Sequence, residues 1–449
     1  MVAQAKPSLI TNVPPSFYVK TGRETKVWLD AKRNDDNVEG GLWRIHNTLY
    51  DLNDFIGKHP GGPSWLEMTK GHDVTEAFMT HHMRMDVVEP HMMKYRVKET
   101  NRPRNVKLTF AEDGFYMSLK RKVVAKLPEI NKKTKIWSEF YIDGLFVLTL
   151  ITAILAQRFQ SITMAILCGL FLTWTGICGH NYLHRRDNYR MFYFNIIFQS
   201  FRDWRISHAL SHHLYPNSLL DIELISYEPF LVWVPSVEAK NWIQRYAAYA
   251  YSPIFYCCFY FFEFGRKIFF SIVRGYKMHI DEFMPFIIPI TMYLFGGNHT
   301  FVEALKMFLI VIMSGGFIFS IIGINAGHHH PEVVHDGDPV HKSYDWGLYS
   351  VDTVMERKEL RRGNTLLALA NFGDHALHHL FPTLDHGILH ELYDDFFETL
   401  LQFEAECQCY PWFFETIKGQ FKQLSRTEPM KLDSHERYLL KYSKPSKSE

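Results

Sequence analysis

Cysteine is scarce in this sequence, and the cysteines that occur form no recognisable pattern. There are six among 449 residues, with no CxxC pair and no spacing of the kind that frames a small secreted domain. This absence argues against a disulfide scaffold and favours a reducing compartment. The opening stretch MVAQAKPSLI has no apolar core, so we expect no cleaved signal peptide.

The chain also lacks an excess of charge of either sign. Lys and Arg total 49 against 48 Asp and Glu, so no global charge points to a nucleic-acid partner. Nucleotide-binding motifs are missing as well, since neither GxxxxGK[ST] nor GxGxxG occurs. Electrons for any redox reaction must therefore come from a source other than a pyridine-nucleotide site in this chain.

Two common metal-binding formats are absent from the sequence. There is no HExxH motif, which removes the zinc-protease signature. Soluble di-iron carboxylate proteins need paired Glu-x-x-His motifs, and here only Glu332 and His335 have that spacing. A metal site in this chain must therefore be built from other residues.

Long apolar runs are missing before about residue 140 and frequent after it. Only the later part approaches the roughly 20 apolar residues of a membrane helix. In the earlier part, Phe115, Leu119, Val123 and Leu127 recur at helical spacing before Pro128, which predicts an amphipathic surface helix. We expect a flexible leader (1–25), a soluble domain (26–98), a linker with this helix (99–135), a membrane domain (136–400) and a cytosolic C-terminal tail (401–449).

The apolar runs group into hairpins. Runs at about 140–156 and 161–179 predict one pair of membrane helices, and runs at 284–297 and 302–324 predict a second pair. We expect the run at 246–264 to lie in or on the membrane interface, because a basic stretch follows it. A basic cluster before the first pair favours a cytosolic location for everything upstream. An even number of crossings then returns the chain to the cytosolic face after each hairpin.

A histidine followed by a proline and two glycines, His59-Pro60-Gly61-Gly62, lies in the soluble domain. A haem with two imidazole ligands needs histidines from two loops that approach the flat ring closely, which glycines without a Cβ permit. The second ligand should follow about two dozen residues later, which points to His82, with His81 as the alternative. An ordinary turn is the competing interpretation of the first motif.

Histidines are concentrated in three short stretches of the membrane domain. Histidine accounts for 24 of 449 residues, so the 16 positions of these stretches should hold about one by chance, and they hold eight. Residues three or four apart share a helix face, so each stretch can direct its imidazoles at one point. Eight imidazoles are too many for one ion and suit two, although imidazole binds iron, zinc and copper alike. These eight, called the box histidines below, form a first box (His180 and His184), a second box (His208, His212 and His213) and a third box (His375, His378 and His379).

A looser histidine group follows the last apolar run. It contains His328, His329, His330 and His335. Asn325 and His329 are four residues apart and would share one helix face, so both are candidates for further metal ligands.

Other polar residues near the boxes carry weaker signals. His386 and His390 again have helical spacing, but without a partner cluster we expect them on a solvent-exposed helix. Asp187, Asp221 and Asp374 are candidates for orienting the ligand imidazoles, with a solvated surface position as the alternative for each.

Together these motifs resemble those of a known family. HPGG within YDLNDFIGKHPGG, followed by DVTEAF, resembles the cytochrome b5 fold over about residues 28–98. The series HxxxH, HxxxHH and HxxHH between apolar runs looks like the membrane fatty acid desaturase and hydroxylase superfamily. The whole layout resembles cytochrome b5-fused desaturases, most closely the cytochrome b5-related group of insects. The fold class implied is an α+β cytochrome b5-like domain followed by an all-α transmembrane domain with a cytosolic di-iron cap.

The resemblance also implies cofactors and ligands. His59 and His82 would bind haem b, and the eight box histidines would hold two iron ions, with Asn325 and His329 as further ligands. Many front-end members of the family begin the third box with Gln, whereas this chain has His375, so the position of the double bond stays open.

The activity implied is the O2-dependent desaturation of a fatty acyl chain in lipid metabolism. A fatty acyl lipid or acyl-CoA would be the substrate, and an NADH-dependent reductase would reduce the haem. The expected location is the endoplasmic reticulum membrane, with the haem domain and boxes in the cytosol. Two alternatives stay open: a lipid hydroxylase of the same superfamily, and a membrane-anchored haem electron carrier without desaturase turnover.

Overall fold

The structure of the chain is a computed structural model that describes residues 8–16, 24–130, 133–357, 364–410 and 412–443. A small domain with a three-stranded sheet comes first, and a mostly helical domain follows it. This is the fold class that the sequence predicts.

The first domain combines short helices with an antiparallel sheet of order β1-β2-β3. Trp43 is buried in its core, and Trp28 is buried where its indole N–H donates to the carbonyl oxygen of Leu220 in the second domain. The side chain of Arg104 joins the last part of the domain to its interior, because it pairs with Asp73 at 2.7 Å and also with Glu76. The elements are α1 (Thr25–Asp36), β1 (Trp43–Ile45), β2 (Thr48–Tyr50), α2 (Pro63–Thr69), α3 (Thr75–His81), α4 (Met85–Met92) and β3 (Arg96–Glu99).

The second domain consists of long apolar helices and a cap of short ones. Its helices are α5 (Phe115–Lys126), α6 (Lys133–Arg158), α7 (Ile162–Leu183), α8 (Phe201–Trp204), α9 (Ile222–Ile225), α10 (Trp242–Tyr246), α11 (Ala248–Cys257), α12 (Phe259–Arg274), α13 (Ile287–Phe295), α14 (Phe301–Ile324), α15 (Trp346–Asp352), α16 (Thr365–Ala370), α17 (His375–Leu380), α18 (His386–Leu389), α19 (Tyr393–Gln402), α20 (Phe413–Ser425) and α21 (Ser434–Tyr442). A π-helical segment, Arg205–His212, continues α8. Two short strands, β4 (Met355–Arg357) and β5 (Gln408–Tyr410), pair in parallel.

Three helices in the described part of the chain are long and apolar enough to cross a membrane: Trp137–Arg158 within α6, α7 and α14. Helices α7 and α14 pack very closely, since a Cβ on Gly169 would lie 2.8 Å from the carbonyl oxygen of Val311. Such small-residue contacts are typical of helices that associate inside a membrane.

The second predicted hairpin has one short arm. The run at 284–297 forms only the nine-residue α13, preceded by a 3₁₀ turn, Ile280–Phe286, that contains Pro285. Proline removes a helical hydrogen bond, so α13 does not extend backwards. The turn and α13 together reach about 27 Å, close to the roughly 30 Å of a membrane core. The run at 246–264 forms α11 and the start of α12, neither of which is long enough to cross.

The leader is folded where the structure describes it. Ile10 and Thr11 are buried, and Thr11 forms an antiparallel bridge with Val106. Ser8 donates a hydrogen bond to the carboxylate of Asp336 in the second domain. The expectation of a flexible leader is therefore wrong for residues 8–16, because an apolar side chain anchors them in the core; residues 1–7 and 17–23 lie outside the described residues.

The linker helix α5 lies where the spacing predicts and is amphipathic, with an exposed face that carries Arg121 and a buried face that packs on other helices. Phe115, Leu119 and Val123 are fully buried, and α5 packs against α15 and α19. Its apolar stripe is thus the contact face for the helical cap that follows the membrane helices. The linker therefore ties the first domain to a segment more than two hundred residues away in the sequence.

The C-terminal segment also packs onto the second domain. Strand β5 pairs with β4, and in α20 the Gln423 side chain donates a hydrogen bond of 2.6 Å to the carbonyl oxygen of Trp233. These contacts make residues 408–425 part of the fold rather than a free tail.

We expect the substitution Leu119→Ala to destabilise the protein strongly. The leucine is fully buried, and removing it leaves a cavity that costs about 2–5 kcal/mol of unfolding free energy. The measurement is the apparent melting temperature of the detergent-solubilised protein. Arg121→Ala on the exposed face of α5 is the matched control and should change stability by less than about 0.5 kcal/mol. Equal effects of the two substitutions would contradict the buried position of α5.

Candidate functional site

Two histidines face each other in the first domain. The rings of His59 and His82 have their centroids 6.2 Å apart. Their Nδ1 atoms lie 3.0 Å from the carbonyl oxygens of Gly62 and Phe78, respectively, so each Nδ1–H donates to the backbone and each Nε2 is left as an acceptor. Two imidazole–metal bonds of about 2 Å each, together with the ring radii, fill such a separation. The pair therefore fits the two axial positions of a haem iron.

His81, the alternative ligand, has a different environment. Its ring lies beside Trp65, with centroids 5.7 Å apart, and its Nδ1 lies 3.1 Å from the carbonyl oxygen of Ala77. Only the ring of His82 lies opposite that of His59 at a separation that fits a shared haem iron, so the geometry favours His82 as the partner of His59.

Five box histidines from three helical segments converge in the second domain. The Nε2 atom of His180 lies 2.7 Å from that of His208, 3.0 Å from that of His184 and 3.2 Å from that of His378. All five rings are buried, and one nitrogen of each lies within 4.8 Å of the others. This first imidazole group consists of His180, His184, His208, His213 and His378.

A second imidazole group lies beside the first. The Nε2 atom of His328 is 3.2 Å from that of His212, 3.0 Å from that of His379 and 2.8 Å from that of His375. The two groups are in contact, because the rings of His213 and His379 stack with centroids 4.1 Å apart. All eight box histidines therefore belong to two adjacent groups, with His328 as a ninth member.

These nitrogens cannot satisfy one another by hydrogen bonding. Each Nε2 carries either one proton or one lone pair, yet the Nε2 of His180 faces three others and that of His328 faces three more. Buried polar atoms left without a partner are costly. A metal ion in each group would accept the lone pairs together, and an all-imidazole donor set suits iron, zinc or copper. The residues therefore fit two metal ions.

The second box reaches both groups because its backbone is π-helical. The amide of His213 donates a hydrogen bond of 2.8 Å to the carbonyl oxygen of His208, five residues earlier. This places the Nε2 atoms of His208 and His213 3.0 Å apart in the first group, while His212 points into the second. Reasoning from α-helical spacing alone misses this pairing, and nothing in the sequence pattern signals the π-helix.

Oxygen acceptors orient several of these imidazoles. The Nδ1 of His208 lies 2.7 Å from Glu223 Oε1, and the Nδ1 of His212 lies 2.9 Å from Asp221 Oδ2. Each contact holds the ring in the tautomer that leaves Nε2 free for a metal. Asp221 thus stands where the sequence suggests an orienting acid.

The other two candidate acids have different partners. Asp374 accepts a hydrogen bond of 3.0 Å from the Tyr393 hydroxyl, and Asp187 accepts one of 2.7 Å from Arg205. Asp374 and Asp187 therefore stabilise the structure around the boxes through these hydrogen bonds to Tyr393 and Arg205.

Burial keeps most of the grouped imidazoles neutral. It lowers the pKa of His208, His213 and His379 well below the ordinary value of histidine, and neighbouring imidazoles lower it further. His212 differs: burial opposes its protonation, but Asp221 and Glu223 outweigh it and raise the pKa of His212 to about 9, so a metal ion that binds its Nε2 must displace a proton. Neutral imidazole is the form that binds metals.

The structure brings His328, rather than His329, into the imidazole groups. The ring of His329 instead stacks on Trp233, with centroids 3.8 Å apart and planes 7° apart. Helix α14 ends at Ile324, so the four-residue helical spacing from Asn325 does not continue to His329. Asn325 is buried just after the helix and donates a hydrogen bond to the carbonyl oxygen of Ile321.

His386 is buried, so its expected position on a solvent-exposed helix is wrong. Its Nε2 lies 2.9 Å from the Nδ1 of His378, a member of the first group. The reason is that α18 packs against α6 and α16 beneath the third box, which no local pattern indicates. His390, at the end of α18, is partly exposed.

A cavity of about 300 Å³ opens onto the histidines. His208, His212, His328 and His375 line one part of it. Aromatic side chains line much of the rest, among them Tyr227, Phe255, Phe259, Phe262 and Phe319. Asp203, Glu263, Arg266 and Lys267 line a further, charged part. A cavity that combines an apolar wall with convergent polar groups is typical of a small-molecule site.

Comparison with known proteins agrees with this architecture. The profile of the family described as "Fatty acid desaturase" matches residues 159–411, and that of "Cytochrome b5-like Heme/Steroid binding domain" matches residues 26–101. No solved structure matches the chain.

Several relatives align along most of the chain. The "Cytochrome b5-related protein" of Drosophila melanogaster is 41% identical over 433 residues, which cover 96% of this chain and 98% of the relative. The "Probable Delta(5) fatty acid desaturase C" of Dictyostelium discoideum is 22% identical over 432 residues, 87% of this chain and 93% of the relative. "Acyl-lipid (8-3)-desaturase B" of the same organism is 21% identical, covering 90% of this chain and 96% of the relative.

The desaturase profile covers more than half of the chain, and the fly relative aligns with it almost from end to end. The chain therefore belongs to the fatty acid desaturase family and carries a fused cytochrome b5 haem domain, which makes it a membrane oxidoreductase of lipid metabolism.

Proposed function

We propose that this protein is an O2-dependent fatty acyl desaturase whose own haem domain supplies electrons to a pair of iron ions held by the box histidines. The observation that carries the proposal is the convergence of nine buried imidazoles, the eight box histidines and His328, into two adjacent groups. Such a donor set serves no evident structural purpose without metal, because its nitrogens oppose one another.

The cavity beside the imidazoles supports an apolar substrate. Phe255, Phe259 and Phe319 would hold an acyl chain in an extended path and exclude water from the reacting carbon. When bound, an iron pair would supply the activation of O2 and the removal of hydrogen from an unactivated C–H bond, which side chains alone cannot achieve. The chain's own residues contribute by fixing the tautomers of the imidazoles, as Asp221 and Glu223 do for His212 and His208.

The electron supply and location complete the proposal. His59 and His82 would bind haem b within a domain of about residues 26–98, and an NADH-dependent reductase would reduce it. The desaturase domain would comprise about residues 136–400 and lie in the endoplasmic reticulum membrane. The haem and the boxes would be on the cytosolic face. A fatty acyl lipid or acyl-CoA would be the substrate.

The assignment of His82 rather than His81 as the second haem ligand can be tested by substituting each residue in turn. We expect His82→Ala to abolish the haem absorbance of the purified protein, because it removes one of two axial ligands. His81→Ala should retain the bis-imidazole spectrum, since its ring lies beside Trp65 instead. The measurement is the absorption spectrum of both oxidation states with haem content per chain. Loss of the spectrum in His81→Ala alone would reverse the assignment.

Substitutions of the adjacent residues His328 and His329 test the proposed metal centre. His328→Ala should lower the non-haem iron content from about two per chain by about half or more, because His328 contacts three box histidines. His329→Ala, its matched control, should leave the iron content unchanged, since that ring stacks on Trp233. Elemental analysis of the purified proteins gives the counts. No iron beyond haem in the wild-type protein would instead support a haem electron carrier.

Product analysis tests the reaction itself. Membranes containing the protein, supplied with NADH, O2 and a set of acyl-CoAs, should yield acyl chains that have lost two hydrogens. A gain of one oxygen would instead identify a hydroxylase. His212→Ala should abolish the product while the reduced haem spectrum stays intact, because His212 lies in the second imidazole group. Loss of both product and haem would indicate misfolding.

A further inference from the structure

A buried arginine connects the haem domain to the first two boxes. The side chain of Arg205 is only 3% exposed, and its Nε donates a hydrogen bond of 3.0 Å to the carbonyl oxygen of Leu183, next to His184. Its Nη1 bonds to Asp187 at 2.7 Å and to Ser64 Oγ, in α2 of the haem domain, at 3.2 Å. One guanidinium thus holds together the end of the first box, the start of the second and the haem domain.

The same arginine contacts an aromatic residue beside the haem site. Its guanidinium carbon lies 4.7 Å from the centre of the Trp65 ring, a cation–π contact. The Trp65 ring in turn lies 5.7 Å from that of His81, the neighbour of His82. Planar contacts of this kind fix orientation as well as distance, because a guanidinium stacks and donates in fixed directions.

A second buried connection lies on the side of the third box. The hydroxyl of Tyr116 in α5 lies 3.2 Å from the carbonyl oxygen of Met79 and 3.3 Å from that of Leu380, within reach of a shared hydrogen bond. Lys120 also donates to the Met79 carbonyl, at 2.6 Å. Met79 lies in α3, which ends next to His82, and Leu380 follows His379 in α17. Tyr116 therefore connects the helix that ends directly before His82 to the helix of the third box.

Near the first haem ligand, the backbone of the haem domain also closely approaches a side chain of the second domain. A Cβ on Gly62 would lie 2.5 Å from Asp187 Oδ2, and Gly62 has a φ of 111°. Only glycine fits there without displacing the carboxylate. A domain that swung away at each turnover would expose the buried Arg205 and Tyr116 and break these bonds each time.

We propose that Arg205 and Tyr116 are positioning residues that hold the His59 and His82 segments in one docked pose against the box histidines, so that electrons cross without domain movement. This inference rests on the proposed function. His59 and His82 would hold the haem iron that gives up one electron at a time, and the box histidines would hold the metal that this electron reduces. An NADH-dependent reductase outside the chain would return the oxidised haem to its reduced state.

The experiment measures how fast the pre-reduced haem of the full-length, metal-loaded protein is reoxidised when it is mixed with O2 and an acyl-CoA. In the wild-type protein this rate should not depend on solvent viscosity, because no domain has to move through solvent. Arg205→Lys should slow it about tenfold or more, since lysine cannot reproduce the several directed bonds of the guanidinium. Tyr116→Phe should slow it several-fold by removing one hydroxyl from a packed ring.

A readout independent of activity accompanies the rates. Hydrogen exchange at the amides of α3 should accelerate in both variants as the docked pose opens, and the reoxidation rate should then become viscosity-dependent. Arg202→Lys is the matched control, because Arg202 lies in the same segment but pairs with Asp281 instead of the haem domain. It should change neither the rate nor the exchange.

The outcomes separate this inference from the proposed function. A wild-type rate that falls with viscosity, or variants that keep both the rate and the exchange of the wild type, would overturn the docked pose while leaving the desaturase activity in place. Absence of any acyl product in the wild type would instead overturn the proposed function. If Arg205→Lys loses haem or iron, Tyr116→Phe carries the test, because it leaves both imidazole groups untouched.

Discussion

The structure depends on a set of buried imidazole nitrogens that face one another. Because each lone pair in the two groups is aimed at others like it, the arrangement is unfavourable unless positive charge occupies the space between them. The surrounding structure is arranged to keep the rings in place nevertheless. Carboxylates at Asp221 and Glu223 and the carbonyl oxygen of Thr353 hold the far nitrogens of His212, His208 and His328.

The membrane helices and the cap have separate roles in maintaining this constraint. Helices α7 and α14 pack closely through Gly169, and they end near the imidazole groups, so the boxes emerge from a rigid base. The short helix α17 of the cap carries the third box and α18 lies next to it, and the linker helix α5 packs against the cap helices α15 and α19. The haem domain joins the same body through α5, which explains why the apolar face of this helix is buried.

Local patterns in the sequence predict the parts of this site that depend on local structure. The histidine boxes, the His59 motif and the helical spacing of Phe115, Leu119 and Val123 all appear at the expected places in the structure. The positions of His328 and His386 could not be predicted in this way, because both depend on packing between segments distant in the sequence. The same is true of Ile10, whose burial requires a core built by later residues.

The π-helical second box has a consequence for how two metal ions, one in each imidazole group, would affect each other. A single rigid segment gives His208 and His213 to one group and His212 to the other. Rotating or unwinding that segment to suit one ion would displace the ligands of its neighbour. The two positions are therefore mechanically coupled, and the centre should fill and empty as a cooperative unit rather than one ion at a time.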